Sequence, residues 1–330
     1  MTPLASSAIT FFFTVFGAVV IPWVGMRMLM PELEAADAGA VTNYRGRRVV
    51  YGLGLVWVLW AIGVQFSATV LGLASQRLWS AWRFPPSSAG FDQLGALVLV
   101  LGALALGFAD DLFGTSAERG FRGHIAALRR GRLTTGGLKL VGIGMLAAAV
   151  TLPRALMAPA ETPGLSLAAD WILATLAIAL SANFINLTDL RPGRALKVYS
   201  AMAIMLVAVA AIGFGFVGSA PALALLLGPV VAVYRYNLGE RAMLGDAGAN
   251  AAGALIGWVA VQMLAAWWML ALYVVLMLAL NITSEKISFS RAIEGNQVLS
   301  WLDGLGRLPA SEPDTDGTQK SSREVVTTEK

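Results

Sequence analysis

Seven stretches of this chain contain no charged side chain: 1–26, 49–76, 93–109, 140–153, 171–188, 198–234 and 247–284. A helix needs roughly 20 apolar residues to cross the hydrocarbon of a bilayer, so each run predicts at least one span. The two longest runs predict two spans each. Gly215, Gly218 and Pro221 mark the break in the first, and Gln262 is a weaker mark in the second. The expected fold is therefore all-α, a polytopic membrane helix bundle of about nine spans within a range of 9–11. Only 13% of the 330 residues are charged. A soluble domain carries about a quarter, so composition and patterning agree.

The first run lacks a basic leading segment and a clear small-residue cleavage site, which favours a first span over a signal peptide. With the N-terminus outside and nine spans, the inner segments are 27–48, 110–139, 187–197, 235–246 and 285–330. They hold 21 of the 24 Lys and Arg, leaving only Arg77, Arg83 and Arg154. That asymmetry follows the positive-inside rule and puts the C-terminus in the cytoplasm of a multi-pass plasma-membrane protein. Trp79, Trp82, Trp267 and Trp268 fall near span ends, as in an aromatic belt. The chain divides into a membrane domain over 1–284, a cytoplasmic interfacial segment over 285–308 and a polar tail over 309–330 expected to be disordered. The interfacial segment has amphipathic character through Ile287, Phe289, Ile293, Val298, Leu299, Trp301, Leu302 and Leu305. The absence of cysteine excludes disulfides and thiolate metal sites.

Three aspartate-bearing stretches stand on the same expected face. Carboxylates beside a bilayer are costly to hold without a role. Asp110-Asp111 closes the third span; two adjacent carboxylates repel, and a cation or base beside them relieves that repulsion. A solvated helix end is the plainer account. Asn183-x-x-Asn186-x-x-Asp189 ends the fifth span, and a spacing of three sets these side chains on one side of a continuing helix. Arg191, Arg194 and Lys197 follow and suit phosphate, although Pro192 and Gly193 would end a helix there in any case. Gly245-Asp246-Ala-Gly248 opens the eighth span. Glycine there permits close backbone approach and a helix N-terminus accepts an anion; Asp246 as a simple cap is the competing reading. Lys139 lies at a membrane edge, where lysines commonly snorkel. His124, the single histidine, lies among basic loop residues.

Taken in order, these stretches resemble the polyprenyl-phosphate N-acetylhexosamine-1-phosphate transferases, the MraY- and WecA-like glycosyltransferase family 4. The resemblance covers about residues 40 to 250. It rests on Asp110-Asp111, Asn186-Leu-Thr-Asp189 and Gly245-Asp246-Ala-Gly248. Thr134 to Leu140 is similar to the family's Lys-bearing segment and brings in Lys139. Tyr51-Gly-Leu-Gly54, preceded by Arg45, is similar to its early glycine pair and basic residue. The resemblance implies transfer of a sugar-1-phosphate from a nucleotide sugar, by extrapolation a UDP-N-acetylhexosamine, to a polyprenyl phosphate on the cytoplasmic face. It implies Mg²⁺ as cofactor with Asp246 as ligand. Asp110, Asp111, Asp189 and Lys139 would be catalytic, and Arg45, Asn183, Asn186, Arg191, Arg194 and Gly245 would bind substrate. The partners implied are the nucleotide sugar, the lipid phosphate and the membrane, without nucleic acid; a homodimer is left open.

Three departures stand against the family pattern. Leu190-Arg-Pro-Gly193 replaces Gly-Leu-Asp-Gly, Met243 replaces an aromatic residue, and the histidine-rich loop is missing, with Glu285, Lys286, Arg291 and Glu294 in that region. They point to altered base and sugar recognition, in a variant envelope or polysaccharide pathway. A catalytically silent homologue serving as a membrane scaffold is the competing reading. A transporter fits poorly, because ionisable groups near the bilayer midplane are its usual mark.

Overall fold

The computed structural model describes residues 3–36, 40–74, 93–114, 134–156, 164–214, 216–264 and 266–309, with 123, 126–127 and 129–132 in addition. His124, Arg77, Arg83, Trp79, Trp82 and the tail over 310–330 lie outside the described residues.

Helices α1 (Pro3–Val15) and α2 (Ile21–Ala35) are joined without a break by a π turn over Phe16–Val20. Such a turn releases a backbone carbonyl, and here the hydroxyl of Ser67 donates to the carbonyl of Phe13 at 2.7 Å. The following helices are α3 (Val56–Ala74), α4 (Gln93–Phe113), α5 (Thr135–Leu156), α6 (Gly164–Thr188), α7 (Arg194–Phe214), α8 (Phe216–Leu238), α9 (Gly245–Met263) and α10 (Trp267–Lys286). Two short helices, α11 (Phe289–Glu294) and α12 (Gln297–Gly304), complete the described chain. Both long apolar runs divide as expected. The first does so between Phe214 and Phe216, with Pro221 carried inside α8; the second does so just after Gln262.

Among the described residues, eight helices are long and apolar enough to cross a membrane. The count of about nine differs from this because of α9, which is built largely from Gly and Ala. That composition reflects its place. Every α9 residue except Asp246 and Gln262 is buried, and the helix runs between α4 and α6 at the centre of the bundle. A helix enclosed by protein has no need of lipid-facing leucines. It needs small side chains that let neighbours approach. A Cβ on Gly253 would strike Ala182 and the carbonyl of Ser181, and one on Gly257 would meet Ala177 and Ile178. Lipid instead meets the outer helices, where Trp267 and Trp268 are exposed at the start of α10.

The bundle is mostly helical, as expected, and carries one small β element in addition. A three-stranded sheet sits beside the N-terminus of α9, made of β1 (Val41–Thr42), β2 (Arg48–Tyr51) and β3 (Ala242–Met243). β1 pairs antiparallel with β2, and β2 pairs parallel with β3 through Val50–Ala242 and Tyr51–Met243. Segments of two to four residues are too short to show the alternation by which a strand is read from sequence. Their role is local. They clamp the connection leading into Gly245 against Tyr51.

Candidate active site

The ends of α4 and α6 and the starts of α5 and α9 meet at one end of the bundle. The sequence makes α9 begin abruptly. Gly245 has φ 66°, a left-handed value that glycine adopts readily, and an added Cβ there would press on the Asp111 carboxylate and the Tyr51 ring. The first N–H groups of a helix have no partner within the helix, and the helix dipole makes them attractive to anions. Three of them are taken by carboxylates from other elements. Asp111 accepts the N–H of Asp246 and that of Ala247, each at 2.9 Å. Asp189 accepts the N–H of Gly245. Trp57, from α3, donates to the carbonyl of Gly248 at 2.9 Å and fixes the first turn from its other side.

This capping leaves the Asp246 side chain facing outward, where it ion-pairs with the Lys139 ammonium. Lys139 also reaches Asp110 at 2.7 Å. The lysine side chain is 8% exposed and that of Asp246 33%, so the ammonium is enclosed while the carboxylate beside it is open to a ligand. The competing readings for the two residues divide accordingly. Lys139 is a buried counter-ion and does not snorkel. Asp246 stands in the first turn of α9, yet the capping oxygens belong to Asp111 and Asp189. Loss of water around the Asp189 carboxyl, with Asp246 and Asp111 facing it, pushes its pKa up to about 7 against the opposing Gly245 N–H. The Tyr51 phenol is raised by burial and by the charges of Asp111, Asp246 and Asp189. It therefore stays neutral, with its hydroxyl hydrogen in place. Tyr51 is the site residue that sequence reasoning missed as a functional group. Its signal is its place at the head of Tyr51-Gly-Leu-Gly54, a segment that enters the sequence reading only through its resemblance to the family's early glycine pair.

Other expected residues fall elsewhere. Asn183 donates to Asn281 of α10 at 2.6 Å, and Asn281 in turn donates to the carbonyls of Leu180 and Met277. That is a helix-to-helix clasp away from the carboxylates. Asn186 is half-buried, and its carbonyl accepts the N–H of Asp189. The common side of 183, 186 and 189 is thus divided, because α6 ends at Thr188 and Asp189 turns toward α9.

The arginines form a second cluster. Arg45 pairs with Glu240 at 2.8 Å and also donates to the carbonyl of Leu308. Arg47 and Asn43 approach the same fully enclosed Glu240 carboxylate. Arg194 makes a two-pronged pair with Asp303 of α12, both bonds at 2.8 Å, and its third nitrogen donates to Ser290. Its side chain is 4% exposed, so its donors are committed to the framework. Arg191 is freer: it lies 4.0 Å from the ring centroid of Tyr44 and meets the mostly exposed Glu294 at 3.1 Å. Arg45, Arg191, Arg194 and Arg307 line a polar cavity of about 350 Å³ together with α12.

Oxygen ligands suit Mg²⁺, which takes one or two carboxylates and completes its shell with water and substrate phosphate. Among the described residues, no three acidic or imidazole side chains form a metal cage of their own. The partly open Asp246, with Asp110 nearby, fits a substrate-completed site of that kind and does not fit a closed structural one.

The family model of glycosyl transferase family 4 matches residues 93–264, more than half of the chain. The matched span begins with α4 and ends with α9, and so includes all four site aspartates and Lys139. No curated protein matches the chain.

Proposed function

The chain belongs to glycosyl transferase family 4, and from that premise we propose that it moves a sugar-1-phosphate from a nucleotide sugar to a polyprenyl phosphate, with Mg²⁺, at the cytoplasmic face. The family is one of phosphosugar transferases. The observation that carries the finer reading is the position of Asp246. It is the one residue in the first turn of an otherwise enclosed helix whose side chain stays open, and Lys139 and Asp110 lie against it.

The reaction forms a bond from an acceptor phosphate oxygen to the sugar-linked phosphorus. The bond from that phosphorus to the bridging oxygen of the donor breaks, and the nucleoside monophosphate departs. The difficulty is electrostatic, because two anions must meet. Mg²⁺, when bound, supplies positive charge that offsets this repulsion; Asp246 would hold it, with Asp110 as second carboxylate. Lys139 holds these two carboxylates together and contributes positive charge fixed in advance. Asp111 acts by position, fixing the backbone on which Asp246 rides. Asp189 at α9 and Tyr51 beside it close the inner wall. Arg191 and Arg45, at the edge of the polar cavity, suit the donor's phosphates or base, and the departures at Leu190-Arg-Pro-Gly193 leave the sugar to be determined.

The silent-scaffold reading draws on one observation: Arg194 is tied to Asp303 and Arg191 to Glu294, so part of the cationic surface is already matched. One assay separates the two. Purified protein in detergent is given undecaprenyl phosphate, Mg²⁺ and a panel of nucleotide sugars, and nucleoside monophosphate release is measured. Release that needs both the lipid and the metal is the expected result. No release from any donor by folded protein would leave the scaffold reading standing.

A further inference from the structure

A second opening lies between α7 and α8, away from the carboxylates. It is a groove of about 660 Å³ lined by Lys197, Ser200, Ala201, Ile204, Leu227, Val230, Val231, Tyr234 and Arg235. The order of these residues along the helices gives it a polarity. α7 starts and α8 ends at the same end of the bundle, so Lys197 and Arg235 stand together at the mouth. Ile204 and Leu227 stand at the far end, roughly 10 Å deeper at 1.5 Å per residue. The walls between are aliphatic, and no acidic side chain among the described residues lines the groove.

The charges at the mouth are not equivalent. Lys197 donates to the carbonyls of Leu302 and Asp303 at the end of α12, at 3.0 and 2.7 Å. Arg235 is exposed, lies over the ring of Tyr236 and meets no carboxylate among the described residues. The depth of the mouth is marked by α12, whose Val298, Leu299, Trp301 and Leu302 are exposed. An exposed tryptophan among aliphatics on a short helix belongs at the level of lipid headgroups. Lys197 grips that helix and sits at the same level.

We propose that this groove is a binding site for one anionic phospholipid of the surrounding bilayer, with its phosphate at Arg235 and Lys197 and an acyl chain against Ile204, Leu227 and Val230. Charge complementarity chooses the occupant. A neutral ligand would leave Arg235 unmatched, and a soluble anion would leave the aliphatic length of the groove empty. The bound lipid would also pin α12, through Lys197, to the bundle. The site does not depend on the transferase reaction, and its test does not use turnover.

The full chain is stripped of lipid in neutral detergent and titrated with phosphatidylglycerol or phosphatidylcholine of the same acyl composition, with bound lipid counted by native mass spectrometry. One phosphatidylglycerol is expected to bind in preference to phosphatidylcholine. R235Q is expected to lower its affinity about fivefold, as for loss of one surface cation. I204W, placed at an exposed lipid-facing position, should reduce both lipids by filling the groove, and lipid-free melting temperatures of both variants confirm that they fold. Equal binding of the two lipids, or an unchanged preference in R235Q, would overturn the proposal. So would displacement by millimolar inorganic phosphate, which would indicate a free-anion site, or tighter binding of undecaprenyl phosphate, which would assign the groove to the acceptor.

Discussion

Two charged clusters share one end of this bundle, and they are built on opposite terms. Around the start of α9, Asp110, Asp111, Asp189 and Asp246 gather, with the ammonium of Lys139 set between Asp110 and Asp246. Two of these carboxylates face backbone N–H groups, and of the pair held by Lys139, Asp246 stays partly open. In the other cluster, Arg45, Arg47, Arg191, Arg194 and Arg307 face Glu240, Glu294 and Asp303. There the most enclosed groups, Arg194 and Glu240, are matched by full ion pairs. The first cluster sets four carboxylates against one ammonium. The second is mainly a brace that ties α7, the β1–β2 hairpin and α12 together. Charge at a membrane face is thus not equivalent to charge available to a substrate; what each group already touches decides the difference.

Lys139→Gln removes the ammonium that bridges Asp110 and Asp246 and should cut turnover by about 10²-fold or more, the scale of one lost electrostatic group in an active site. A rate within a few-fold of the parent would show that the ammonium is structural only. Asp111→Ala leaves two N–H groups of α9 without their acceptor. It should cost about 1–2 kcal/mol, as for a lost helix cap, and lower the melting temperature followed by tryptophan fluorescence. An unchanged melting curve would remove Asp111 from its positioning role.

Asp303→Asn tests the brace. Asp303 is held below the usual carboxylate range by its bonds to Arg194 and Arg307, which outweigh its partial burial. Its contribution to stability is therefore present above the unfolded value near 4 and is lost as pH falls below it. The variant should melt lower than the parent at pH 7, and the gap should narrow as pH falls through the lowered folded value of Asp303. A gap that persists at low pH would mean the pair does not stabilise the fold. The smallest effect is expected from Arg191→Ala. Its ion pair is largely exposed and worth little to folding. The KM for the nucleotide sugar should rise several-fold with the melting temperature unchanged. An unchanged KM would leave Arg191 with no part in donor binding.

Much of this arrangement is legible in the sequence because its determinants are local. The charge-free runs mark the helices, and the abrupt Gly245-Asp246 start marks the beginning of α9. The meeting of the aspartates at one face follows from the alternation of spans. What is not legible depends on partners distant in the chain. Asp111 caps a helix 135 residues away, Asn183 turns to Asn281, and Arg194 finds Asp303; none of these pairings leaves a local pattern. The central place of α9 is hidden for a related reason: a helix shielded from lipid carries Gly and Ala, and reads as less apolar than its lipid-facing neighbours. Tyr51 was overlooked because its role comes from a two-residue strand pairing that brings β2 beside β3.

The open carboxylate of Asp246, set by the capped start of α9, is the proposed place of phosphosugar transfer. Its most direct test is the rate of nucleoside monophosphate release by Asp246→Asn protein, with lipid phosphate and Mg²⁺ saturating, at a folded fraction matched to the parent. A loss of about 10²–10³-fold with the fold intact is expected, because the caps of α9 lie on Asp111 and Asp189. Turnover at the parental rate would contradict it and move the chemistry away from this helix.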